Sequence, residues 1–134
     1  MITVETKINA PVEKVWDYFT NPKHIINWYF ASNDWQAPEA ENDLRVGGKF
    51  KTVMAAKDGS AGFDFEGIYT AVTLHQLIDY QLTDGRKIHI TFSKTGNEVT
   101  VIEQFDPEQT NPLEMQKGGW QAILNNFKTY VDTH

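Results

Sequence analysis

Residues 117–131, KGGWQAILNNFKTYV, put Trp120, Ile123, Leu124, Phe127, Tyr130 and Val131 on one side of a helix. A face this broad has to be covered by another layer of structure. The chain in front of it supplies that layer. ITVETKI at 2–8 alternates Ile2, Val4, Thr6 and Ile8 against Thr3, Glu5 and Lys7. Between Phe50 and Phe105 the period of two returns in GKFKTVMAA, FDFEGIYTAV, LHQLIDYQL, KIHITFS and EVTVIEQFD. Asp58-Gly59 and Asp84-Gly85 mark hairpin turns among them. The predicted order is one strand, two helices, about six antiparallel strands and the long helix.

The two early helices are read from proline positions. In NAPVEKVWDYF, Pro11 suits the first helical position, where a missing N–H costs nothing, and Val12, Val15, Trp16 and Phe19 form the stripe. Asn21-Pro22 repeats the signal and opens a short helix that ends near Trp28. After it, one short strand is expected around Trp35, followed by a long polar loop to the Gly47-Gly48 turn. Alternation assigns Phe50, Thr52 and Met54 to the inner face of the sheet, with Phe63, Phe65, Gly67 and Tyr69 from the next strand. Ile88, Ile90, Phe92, Val99, Val101 and Phe105 join them, while Lys51, Asp64, Glu66, Lys87 and His89 face outward.

Several function classes are excluded or weakened. The net charge is −6 and the basic residues are scattered, which argues against nucleic-acid binding. There is no cysteine, hence no disulfide, thiolate metal site or cysteine nucleophile. No apolar run reaches the length of a membrane span, and the N-terminal sequence does not read as a signal peptide, so a cytoplasmic protein is expected. His24, His75, His89 and His134 show no metal-ligand spacing, and neither a metal nor a cofactor is expected. No nucleophile–base pattern is present, which leans against an enzyme. Two carboxylates beside strand aromatics, Asp34 and Glu103, are the only candidates for a desolvated acid or base. Glu103 falls on the inner face by alternation with Val99 and Val101, although a strand end in solvent or a salt bridge is the plainer expectation for it.

The chain resembles the START-like superfamily, and within it the branch similar to the C-terminal domain of the activator of the heat-shock-protein-90 ATPase. The residues behind this are INAPVEKVWDYFTNP at 8–22, Trp28, DLRVGGKF at 43–50, FEGIYTAV at 65–72 and GGWQAILNNFKTYV at 118–131. The resemblance implies an α+β helix-grip fold: a curved antiparallel sheet of six to seven strands wrapped around a long C-terminal helix, with two short helices after the first strand. Residues 1–134 then form one START-like domain. Gly118 and Gly119 would mark where that helix passes close to neighbouring backbone.

A sheet that curls around a helix without meeting it everywhere leaves an apolar cavity. Eight Phe, five Tyr and four Trp are more bulk than a solid two-layer core of 134 residues needs, which favours a lined cavity. The candidate lining is Trp28, Phe30 and Trp35 from the early chain, and Phe50, Met54, Phe65, Tyr69, Ile90 and Phe92 from the strands. Trp120, Leu124 and Phe127 complete it from the helix. Asn33, Tyr69, Gln81 and Asn126 are the polar groups expected to orient a ligand. The expected function is binding of a hydrophobic or aromatic small molecule, lipid or polycyclic in type. The resemblance also implies two alternatives, a co-chaperone-like module that docks a chaperone or other protein, and a cyclase or dehydratase-type enzyme.

Overall fold

The computed structural model describes all residues from Met1 to His134. The first strand, β1 (Ile2–Ile8), leads through α1 (Val12–Thr20) and α2 (Pro22–Ile25) to β2 (Trp35–Asn42). A meander follows: β3 (Lys49–Ala56), β4 (Gly62–Thr73), β5 (Leu77–Leu82), β6 (Lys87–Thr95) and β7 (Glu98–Phe105), before α3 (Leu113–Thr133). All neighbours are antiparallel in one seven-stranded sheet ordered β1-β7-β6-β5-β4-β3-β2. The α1–α2 segment therefore carries the chain from one edge of the sheet to the other, and the meander brings it back beside its start. The curled sheet holds α3 on its concave face, the helix-grip arrangement.

The inner-face register agrees with the alternation. Val4, Thr6 and Ile8 of β1 are buried, as are Ile88, Ile90 and Phe92 of β6 and Val99, Val101 and Phe105 of β7. Phe63 has the inner-face register but lies at the rim, about half exposed at 53%. Period-two alternation fixes a face, and only distance from the rim decides burial.

Four local expectations need correction. Pro11 sits one position earlier than expected, as the cap before Val12, with its carbonyl accepting from the N–H groups of Lys14 and Val15. The polar stretch after Trp35 is strand, not loop, paired along β3 with a register shift between Gln36 and Glu39. An edge strand needs backbone pairing on one side only, so it tolerates Pro38 at the irregularity and shows no clean alternation. Leu74–Gln76 is a turn before β5, with His75 at φ 63°. Finally, α3 begins at Leu113, about a turn before Lys117, where the expected helix starts. The Gln116 side chain ties that extra turn to the preceding loop by accepting from the Glu108 N–H and donating to the carbonyls of Glu108 and Asn111. Asn21 does cap α2 as read, its side-chain oxygen accepting from the Lys23 N–H at 3.0 Å.

Candidate functional site

The two halves of α3 meet the sheet differently. Leu124, Phe127, Tyr130 and Val131 are buried, and the closest backbone approach of the helix is to β1, with a lesser one to α1. Phe127 contacts Trp28 at 4.6 Å and Phe19 at 5.2 Å between ring centroids, edge to face with Phe19, which fills this end with interlocked rings. Toward its N-terminus the helix stands away from β3 and β4. Trp120 lies flat on Phe105 at 3.9 Å, and meets Phe65 only by an edge at 6.0 Å.

The gap is a cavity of about 180 Å³. Met54, Phe63 and Phe65 form the sheet wall, Trp120 and Ile123 the helix wall, and Tyr29 closes the inner end. Arg86 and Glu108 contribute from the turn before β6 and the loop before α3, and Glu103 lies among the lining residues. Tyr29 and Phe65, 5.8 Å apart, also border a second space of about 40 Å³ that reaches Phe50, Tyr69 and Tyr80. Two rings thus partition what would otherwise be one longer hollow.

Glu103 is the chemical anomaly of this site. Strand pairing sets it between Val4 of β1 and Ile90 of β6, each no more than 2% exposed, and it is itself only 7% exposed. None of the protein's six ion pairs includes it. Burial alone pushes its carboxyl up to about 8, because ionisation there forfeits hydration with no cation in return. The Tyr29 and Tyr80 phenols are raised above their ordinary value, chiefly by burial and further by the charge that Glu103 would carry. Tyr69 is raised by burial, partly offset by its hydrogen bond with the Asn42 side-chain oxygen at 2.6 Å. At neutral pH these are neutral O–H groups in an apolar enclosure.

Of the residues singled out from the sequence, Met54, Phe65 and Trp120 share the larger cavity, and Phe50, Phe65 and Tyr69 the smaller. Trp28, Ile90, Phe92, Leu124 and Phe127 are packed within the core and border neither space. Phe30 borders a shallow surface groove with Asn33 and Asn126, and Trp35 leans on Phe63 at 6.0 Å near the rim. Asp34 is exposed and accepts a hydrogen bond from Ser32, so it is no desolvated acid. Gln81 points outward, and Asn126 donates to the Trp28 carbonyl at 2.9 Å, holding chain to chain. Gly118 and Gly119 do not touch neighbouring backbone: a Cβ at either would meet nothing within 4 Å. They belong to the half of the helix that stands away from β3 and β4.

Tyr29, Tyr80, Arg86, Glu108 and Ile123 were not selected from sequence. Tyr80 was legible in principle, as it alternates with Ile78 and Leu82. Tyr29 was not, because it lies in an irregular turn where no periodicity assigns a face. The histidines gather with no carboxylate set able to hold a metal ion. No helix is long and apolar enough to cross a membrane.

The family model described as Activator of Hsp90 ATPase homolog 1-like protein matches residues 9–132. The chain belongs to the AHSA1-like family. Among solved structures, this AHSA1-like protein is similar to Chr148 from Cytophaga hutchinsonii at 53% identity and a TM-score of 0.86, over 98% of this chain and 92% of that one. An AHSA1-like protein from Aeromonas hydrophila matches at 39% identity and a TM-score of 0.90, over 98% and 93% of the two chains. Protein NE0264 from Nitrosomonas europaea, at 20% identity and a TM-score of 0.80 over 98% and 94%, shares the fold. No curated protein of assigned function matches the chain.

Proposed function

We propose that this AHSA1-like protein binds a small hydrophobic or aromatic molecule between β3–β4 and the N-terminal half of α3. The observation that carries this reading is the cavity of about 180 Å³ walled by Met54, Phe63, Phe65, Trp120 and Ile123. A solid core would have brought Trp120 and Ile123 down onto β3 and β4, whereas Trp120 stacks on Phe105 of β7 and meets Phe65 only by an edge. An engineered apolar cavity of about 150 Å³ accepts benzene, so the space at rest suits one ring or a short branched chain. The lipid or polycyclic ligand expected from the sequence requires Phe65 and Tyr29 to turn aside and join the two spaces. The same reading places the work of the protein in the cytoplasm, which a cysteine-free sequence suits.

The test is a titration with single-ring aromatics followed by NMR. Shifts are expected at the Met54 and Ile123 methyls and the Trp120 indole N–H, and filling the cavity by Ile123→Trp is expected to abolish them. Shifts confined to the surface groove at Phe30, or none at all, would sink the proposal. The family description supports a second reading, docking to a chaperone of the Hsp90 class. Binding of such a chaperone by both the parent protein and Ile123→Trp would favour an interaction surface over the cavity as the working part.

A further inference from the structure

The lining of the cavity is unbalanced in its hydrogen-bonding groups. Glu103 is more than nine-tenths buried, sits in the row Val4–Glu103–Ile90, and turns its carboxyl to the cavity with no ionic partner. Facing it, the chain after α2 gives the Tyr29 phenol, β5 gives Tyr80, the turn before β6 gives Arg86 and the loop before α3 gives Glu108. Met54 of β3, Phe63 and Phe65 of β4, and Trp120 and Ile123 of α3 bring nothing that titrates. Arg86 is already engaged by Asp84, its Nε donating to Oδ2 at 2.8 Å. The Arg86–Asp84 pair is neutral as a whole, so the lining carries no net positive charge to hold a carboxylate, either the protein's own or one on a ligand. The Glu108 side chain accepts from Asn111 at the rim.

We infer that the cavity selects apolar ligands bearing a neutral acceptor oxygen, the carbonyl of a ketone, aldehyde or ester, and that Glu103 donates a hydrogen bond to it from a protonated carboxyl. This rests on the cavity being a ligand site. A charged ligand fits less well on both signs. An anion would enter beside two acidic side chains, with the one cation of the lining already countered by Asp84. A cation would require Glu103 to ionise in a row of Val and Ile side chains, a burial of charge that an apolar setting opposes. A carbonyl needs neither change. It satisfies the carboxyl O–H of Glu103, which makes no hydrogen bond within the protein, and the rest of the ligand covers the aromatic walls. The raised affinity of Glu103 for its proton keeps the donor in place at neutral pH.

Three probes of nearly equal shape test this: acetophenone, cumene and 1-phenylethylamine, titrated into the wild-type protein and read by the Trp120 indole shift. Between about pH 6 and about pH 9, spanning the titration of Glu103, the affinity of acetophenone relative to cumene is expected to fall about tenfold, the value of one net hydrogen bond. In Glu103→Gln, which keeps a donor that cannot titrate, that ratio is expected to stay constant with pH. A ratio that is already flat in the wild-type protein overturns the role of Glu103 while leaving the cavity reading intact. So does an amine that tightens as the ketone fails to weaken, since the carboxylate would then serve a cation. If none of the three probes binds, the cavity reading itself falls, and this inference with it.

Discussion

The C-terminal half of α3 and its N-terminal half are one continuous helix with opposite relations to the same sheet. In the first, Leu124 and Phe127 are at most 1% exposed and Phe127 is boxed by Phe19 and Trp28. In the second, Trp120 and Ile123 are half-buried, Gly118 and Gly119 stand open, and a cavity replaces the interlocking rings. The difference teaches that tight packing and open space have been given to separate ends of one element. Gln121 bonded to the Glu5 backbone of β1 and Trp120 stacked on Phe105 of β7 let the N-terminal half stand off from β3 and β4 without the helix detaching.

The largest expected effect belongs to the open end. Glu103 binds its proton more tightly when folded than when unfolded, so its contribution is fully favourable below pH 4.5 and is lost as pH rises toward about 8. At about 1.4 kcal/mol per pH unit, the loss across this window reaches about 5 kcal/mol. Denaturant unfolding of wild type and Glu103→Gln at several pH values is expected to show the variant gaining relative stability over that window. A constant difference would mean that Glu103 is not desolvated.

Next comes a direct contrast of the halves. Phe127→Ala is expected to cost about 3–5 kcal/mol, as ring deletions in packed cores do. Trp120→Ala is expected to cost about 1–2 kcal/mol, within the ordinary range for a partly exposed site, yet to remove binding of aromatic probes. Equal stability losses in urea would erase the distinction between the halves. The smallest effect is at the glycines. Because a Cβ at Gly118 or Gly119 meets nothing, Gly118→Ala and Gly119→Ala are each expected to stabilise by about 1 kcal/mol through helix propensity. A loss of stability on thermal unfolding would show that the first turns of α3 need glycine after all.

Most of the fold was legible because it is written in local periods. Alternation assigned the inner faces of β1, β3, β6 and β7 correctly, and Asn21-Pro22 announced α2. Only the Trp35 end of β2 was legible, because an edge strand is held by backbone bonds that side-chain pattern does not record. For the site, alternation put Glu103 inside but could not say whether a lysine or arginine would meet it there. Nor could it separate Trp28, Ile90 and Phe92, which are core, from Met54, Phe65 and Trp120, which line a void, since all are apolar and inward.

The sequence by itself determined the order of strands and helices, because both periods are properties of neighbouring residues, and its resemblance to the START-like superfamily implied the curl of the sheet around the last helix. Only the tertiary structure decided where the helix touches and where it does not. That depends on the sizes of side chains brought together from residues as distant as Tyr29, Met54, Glu103 and Trp120, and a packing gap between them leaves no mark on the period of any one segment. Helix α3 is thus a plug at Phe127 and a cavity wall at Trp120, two roles divided at Leu124.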